Sequence, residues 1–376
     1  MTFYMNKNAK NELMLLMGVG TLASLLFRQR KFAFTLAAAT TAVALTRKPE
    51  SKSPFKGKVA LITGGSRGLG LALAKVLVKQ GAYVSLLARD EAELNAARTI
   101  LNEFTSLQHI MIHVCDVTDP AQLSKAIQQT VEIWRDIDLL INNAGAIIVG
   151  PFESMTLADF ETQMKLHLYA NIHATQQILP IFRKKNDGRI VNICSMGGKV
   201  AVPHMLPYDT SKFALAGFSQ GISAELAREN ISVTTVYPTL MRTGSPIQAV
   251  FKGDAEKEFT WFANADIFPG LSMSADLAAR KIIRAAADRR SELIPSFIGR
   301  ARMMVGAFLP ELMLLGMGLM NRLMPKGNSL RYQTGAQSKT DRTYLLKSFE
   351  KAAGKVEIEL NQKEKNSAEY NLGLLH

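Results

Sequence analysis

Cysteine is nearly missing. Among 376 residues only Cys115 and Cys194 occur, each inside an apolar run that reads as a core strand. That excludes a disulfide framework and fits a reducing compartment. The six histidines are scattered and no spaced set of metal ligands accompanies them, so no metal is expected. No internal repeat is present, which excludes solenoid and propeller architectures. No apolar run reaches the roughly 20 residues that a straight helix needs to cross a bilayer. Acid is in deficit: 32 Asp and Glu stand against 45 Lys and Arg, a net charge of +13. Such a balance invites a nucleic acid or a membrane surface. There is no module of interleaved aromatic and basic residues, and much of the excess lies at the two ends, so a membrane surface is expected and nucleic acid is not.

What is present divides into four stretches. Residues 1–54 form a hydrophobic, membrane-associating segment with two apolar runs, 13–27 and 32–46, split by Arg28-Gln29-Arg30-Lys31. A hairpin through the bilayer would put that basic loop outside, against the positive-inside tendency. One short span or two interfacial helices is the expectation, with the catalytic domain facing the cytoplasm. A cleaved signal peptide is the alternative, since Lys7 and Lys10 precede the apolar core and Ala42-Val43-Ala44 resembles a cleavage site. Packing of these runs on the protein's own core is another. Residues 55–299 read as one α/β domain, 300–325 as an apolar helix and 326–376 as a polar, flexible tail with at most one marginal helix.

Within residues 55–299 strands and helices alternate, the pattern of a doubly wound parallel sheet. A buried strand over 58–63 runs straight into Thr63-Gly64-Gly65-Ser66-Arg67-Gly68-Leu69-Gly70 and a helix. Gly64, Gly68 and Gly70 let the backbone turn tightly and approach a pyrophosphate, whose charge the helix start stabilises. The next strand, 83–88, ends at Ala88-Arg89 rather than at a carboxylate that would bind a ribose 2′-hydroxyl. Arg67 and Arg89 suit an extra phosphate, so NADP(H) is expected over NAD(H). Asp90 and Glu93 read as a capping box for the following helix. Asp116-Val117 ends a third strand, where Asp116 would meet the adenine amino group. Asn142-Asn143-Ala144-Gly145 ends another, and Pro238-Thr239-Leu240-Met241-Arg242-Thr243 follows one over 231–237.

The chemistry centres on residues 195–212, which read as strand end, loop and helix. Ser195 offers a hydroxyl, Tyr208 a phenol and Lys212 an ammonium four residues further on, the spacing that shares a helix face. A nearby cation favours phenolate and lowers a pKa of about 10, which would make Tyr208 a proton donor or acceptor with Ser195 holding the substrate oxygen.

These motifs together resemble the short-chain dehydrogenase/reductase family over roughly residues 55–295. They comprise TGGSRGLG, Asp116-Val117, NNAG, Ser195 with YDTSK, and the Pro238 loop with Thr243. The resemblance implies one Rossmann domain of about seven parallel strands, with residues 292–295 as the edge. It also implies hydride transfer between a nicotinamide and a carbonyl or secondary alcohol. Tyr208 would protonate the carbonyl oxygen, Ser195 would orient it, and Lys212 would hold the nicotinamide ribose. Asn143, Ala144 and Gly145 would line the coenzyme, and Thr243 would reach the carboxamide. Two positions depart from the pattern. His167 stands where the family usually has an asparagine whose backbone carbonyl anchors a proton-relay water, and Thr239 stands in place of glycine.

Phe251, Phe259, Trp261, Phe262 and Phe268 fall in the segment that covers the substrate in this family, with Met205 and Leu206 opposite, and read as an aromatic lid. Each ring taken singly fits core packing as well. Over residues 301–324, stripes of Met and Leu predict a helix buried, lying in a membrane interface or packing on a second subunit. The resulting expectation is a membrane-associated NADP(H)-dependent reductase of a lipophilic carbonyl compound. The alternatives are a dehydrogenase of a small polar alcohol and a non-catalytic NADP-binding sensor or scaffold.

Overall fold

The computed structural model describes residues 7–26, 35–36, 38–41, 53–268, 272–341 and 343–362. Seven parallel strands carry the domain: β1 (Val59–Thr63), β2 (Tyr83–Ala88), β3 (Ile110–Val114), β4 (Leu139–Asn142), β5 (Gly188–Ile193), β6 (Ile231–Val236) and β7 (Glu292–Leu293). They are bonded in the order β7-β6-β5-β4-β1-β2-β3. The order reverses at β1, where the chain returns from the β3 edge to start β4 on the other side. Such a reversal opens a crevice at the carboxyl ends of the strands.

Helices cover both faces. Among the described residues the long helices are α1 (Lys7–Leu26), α2 (Gly68–Val78), α3 (Glu91–Asn102), α4 (Pro120–Trp134), α5 (Leu157–Met164), α6 (Ala170–Lys185), α7 (Leu206–Glu225), α8 (Ala255–Ile267) and α9 (Ala275–Ala287), then α10 (Phe297–Phe308), α11 (Pro310–Leu323) and α12 (Lys347–Glu359). Successive side chains of β1 serve opposite cores. Ala60 and Ile62 join Leu71, Leu73, Ile282 and Ile283 on the side of α2 and α9. Val59 and Leu61 join Ile127, Ile178 and Phe182 on the side of α4 and α6. Burial on both faces is why these strands read as unbroken apolar runs.

Three expectations are corrected beyond the sheet. First, the aromatic residues of the substrate segment are mostly core. Phe251, Phe259 and Phe262 are at most 3% exposed and pack ring on ring, with centroids 5.4 and 5.9 Å apart around Phe251. Trp261 is half-buried, its Nε1 donating to Glu258 Oε2 at 2.6 Å, and Phe268 stacks edge-on against Phe349. Second, residues 301–324 are not one helix. α10 and α11 meet at 117°, because Pro310 has no N–H to continue the ladder and forces Leu309 out of the helical region, at φ −133° and ψ 61°.

Third, the chain from 326 to 362 is fixed in place, whereas a flexible tail was expected. Gln333–Thr334 pairs antiparallel with Val250–Phe251, which pairs in parallel with Ile148–Val149. Gly253 N–H donates to Ser329 O, and Asn264 Nδ2 donates to Thr343 O. Tyr332 donates its hydroxyl to Asp159, whose other oxygen accepts from Lys252 Nζ at 2.8 Å; Asp159 and Lys252 are both at most 1% exposed. Among the described residues no single helix is long and apolar enough to cross a membrane, though the bent α10–α11 pair passes on length and apolarity together. The first apolar run falls mostly within α1, while most of the second lies outside the described residues, as does the tail beyond 362.

Candidate active site

The carboxyl ends of the strands deliver their loops to one cavity of about 920 Å³. Thr63 ends β1, and its Oγ1 accepts from Asn143 N–H at 2.9 Å and Ala144 N–H at 3.0 Å. Asn143 Nδ2 returns hydrogen bonds to the Thr63 and Gly64 carbonyls, 3.0 Å each. The glycine-rich turn and the NNAG loop are thereby locked together. Gly64 and Gly68 take φ of 62° and 56°, where a side chain is strained. At Gly70 a Cβ would collide with the Gly64 carbonyl. Arg67, at the N-cap of α2, supplies no side-chain acceptor to the first turn. This helix start beside a turn of glycines suits an anionic pyrophosphate, with the Gly68 N–H donating to the Leu360 carbonyl at 2.9 Å.

The catalytic candidates stand across the cavity from that turn. Ser195 follows β5 in extended conformation; its Oγ accepts from Gly197 N–H at 3.0 Å and hydrogen-bonds the Tyr208 hydroxyl. Tyr208 and Lys212 lie in the first turns of α7, which Pro207 helps to start. Lys212 Nζ donates to Ile193 O at 2.9 Å and lies 5.6 Å from the Tyr208 ring centre. The expected lowering of the phenol pKa is not what the structure holds. Burial pushes the Tyr208 phenol up, opposed in part by the Ser195 hydrogen bond. Burial also lowers the Lys212 ammonium to about 8. Desolvation is the largest cause of both shifts, and the ammonium donates to the Ile193 carbonyl rather than to the phenol.

His167 sits in a π-helical turn, Lys165–Tyr169, between α5 and α6, and is fully buried. Ser211 donates its hydroxyl to Tyr208 O and so accepts from His167 Nδ1 at 2.8 Å, while Nε2 accepts from Ala146 N–H at 3.2 Å. Burial, then the nearby Lys212 charge, holds the ring well below its ordinary pKa. With both nitrogens hydrogen-bonded inside the protein, the imidazole braces the catalytic helix through Ser211. The His167 carbonyl, where the relay water was expected, accepts from Asn171 Nδ2. Thr239, the second departure, hydrogen-bonds Ser296 Oγ at 3.2 Å and thereby ties the Pro238 loop to the start of α10.

One cavity gathers Gly64, Ser66, Arg67, Gly68, Leu69, Arg89, Asp116, Val117, Asn143, Ala144, Gly145, His167, Ser195, Tyr208, Lys212, Pro238 and Thr243; Gly70 packs behind the turn. Asp116 Oδ1 accepts from both the N–H and the hydroxyl of Thr118. Of the aromatic segment only Phe262 reaches this cavity, with Met205 opposite.

Sequence reasoning missed several residues here. Asp90 caps α3, but Glu93 does not close the box. Its carboxylate accepts from Arg67 Nη1 at 2.8 Å and from Ser66 Oγ at 3.0 Å. Glu93 therefore qualifies the expectation of two guanidiniums for an extra phosphate. Asp209, 1% exposed, accepts from Val202 N–H at 2.6 Å, and burial raises it to about 7. Tyr332 and Gln362 enter from the C-terminal stretch with no motif to announce them.

A family model described as short chain dehydrogenase matches residues 58–250. The chain is 37% identical over 190 residues to a fatty acyl-CoA reductase of Acinetobacter baylyi, covering 50% of this chain and 64% of that one. It is 31% identical over 193 residues to a 3-dehydrosphinganine reductase of Danio rerio, covering 50% and 58%. The chain thus spans less than two thirds of the length of either relative. A solved short-chain dehydrogenase from Streptomyces avermitilis superposes with a TM-score of 0.60 at 25% identity, covering 71% of this chain and 99% of that one.

Proposed function

The chain belongs to the short-chain dehydrogenase family of nicotinamide-dependent oxidoreductases, and from that premise we propose that it is an NADPH-dependent reductase of a lipophilic carbonyl compound working at a membrane surface. One observation carries the reading: Ser195, Tyr208 and Lys212 share a cavity with the glycine-rich turn. A reduced nicotinamide bound there supplies the hydride. Ser195 holds the carbonyl oxygen, and Tyr208, kept protonated by burial, hands its proton to that oxygen. Lys212, Asn143 and Thr243 position the coenzyme, and Arg89, with no carboxylate at the end of β2, favours the extra phosphate.

A second cavity of about 1270 Å³ supports a lipophilic substrate. It adjoins the first at Val202 and runs between the 199–206 loop and α11, lined by Phe152, Leu206, Phe213, Met313, Leu314 and Met317 among others. Two of the relatives similar to this chain are named a fatty acyl-CoA reductase and a 3-dehydrosphinganine reductase. The membrane part rests on α11, where Leu312, Leu315, Leu319 and Leu323 are each more than half exposed. The test is NADPH consumption against ketones graded from short and polar to long and apolar. Turnover should rise with apolar length, and Tyr208→Phe should cut it about 10²–10⁴-fold while NADPH binding stays near wild type. Dinucleotide binding without turnover of any ketone would overturn the reductase reading.

A further inference from the structure

The glycine-rich turn has a neighbour from the far end of the chain. α12 ends at Glu359, and the next residue, Leu360, accepts on its carbonyl from Gly68 N–H at 2.9 Å, one of the amides that a helix start leaves without an internal partner. Asn361 takes the left-handed conformation, φ 57°, and is 4% exposed. Its Nδ2 donates to the carbonyls of Ser66 and Glu93, 3.0 Å each. These three contacts fix the next residue, Gln362, against the turn.

Gln362 is itself 4% exposed and lines the cavity that holds Ser195, Tyr208 and Lys212. Its amide lies where a Cβ on Gly68 would come within 2.9 Å of Nε2, and its Cγ would be 3.2 Å from a Cβ on Gly244. The side chain thus bridges the glycine-rich turn and the end of the Pro238 loop. Its Oε1 is buried and has no hydrogen-bond partner among the described residues. A buried amide oxygen left unpaired is unfavourable and calls for an explanation. An amide can donate to a phosphate oxygen and accept from a ribose hydroxyl, groups that a dinucleotide presents side by side.

We propose that Gln362 is a coenzyme-binding residue, contributed by the C-terminal stretch and held in place by Leu360 and Asn361. The assignment rests on the dinucleotide reading of the cavity. It is tested on the full chain by titrating NADPH and NADH and following coenzyme fluorescence, with the coenzyme-induced rise in melting temperature as a second readout. Gln362→Ala should weaken binding about tenfold or more, the worth of a hydrogen bond to a charged group. It should shrink the coenzyme-induced rise while leaving the melting temperature without coenzyme unchanged. Gln362→Glu, which sets a carboxylate against phosphate, should weaken binding further. Gln362→Ala should raise KM for coenzyme with kcat nearly unchanged. Wild-type affinity in Gln362→Ala would overturn the assignment, and tighter binding would mark the stretch as an obstruction to coenzyme. If the wild-type chain binds neither dinucleotide, the reading of the cavity itself falls, and the role of Gln362 with it.

Discussion

At the scale of single residues, Glu93 sets how much positive charge the coenzyme cavity presents. Its carboxylate faces Arg67 and Ser66 at hydrogen-bonding distance, where an extra phosphate on the coenzyme would lie. Glu93→Gln removes a charge that repels phosphate while keeping the shape. Its ratio of NADPH to NADH affinity should rise by roughly tenfold, measured by paired titrations; an unchanged ratio would show that Arg67 takes no part in the choice. The spacing of Asp90 and Glu93 pointed to capping alone, and that satisfied explanation hid a site residue. Ser195, Tyr208 and Lys212 were legible because one strand end and one helix turn fix their separation. The direction of the phenol's shift was not, because desolvation depends on everything packed around Tyr208.

Among elements, the stretch after α11 is held by polar anchors. Asp159, on α5, accepts from Lys252 beside the short strand Val250–Phe251 and from Tyr332 of the C-terminal stretch. Burial would raise its pKa, but the hydrogen bonds from Lys252, Tyr332 and Thr156 hold it below the usual carboxylate range. Asp159→Asn leaves Lys252 buried without its counter-charge and should cost about 3–5 kcal/mol of unfolding free energy in urea melts; a loss under 1 kcal/mol would show that the pair is not an anchor. The sign with pH follows. A depressed folded pKa gives stability that is present above the unfolded value, near 4, and is lost as pH falls through the lower folded value. None of this was legible as structure in residues 326–362. Pattern reading finds packed segments by apolar periodicity, and Tyr332, Thr343 and Asn361 are single polar contacts that become visible only with their partners. The break at Pro310 was legible in principle, yet the continuous run of Met and Leu across it favoured one helix.

For the whole molecule, the sheet was legible because its central strands, such as β1 and β4, are buried along their length and run straight into motifs at their carboxyl ends. Its relation to a membrane has a direct measurement. Leu312, Leu315 and Leu319 lie on one exposed face of α11. Replacing all three by Glu should lower co-sedimentation with anionic vesicles at least about a hundredfold, since each inserted leucine contributes about 1.5–3 kcal/mol, without altering the melting temperature. Equal sedimentation would remove α11 from the interface. The hydrogen bond from Gly68 to Leu360 bears on how the chain is made as well as on what it binds. Domains form as the chain emerges, N-terminal part first. The sheet from β1 to β7 is therefore synthesised while the amide at the start of α2 still lacks its acceptor. This contact on the glycine-rich turn is supplied by nearly the last described residues to leave the ribosome, so a chain stopped short of Leu360 would carry the whole sheet and an unfinished site.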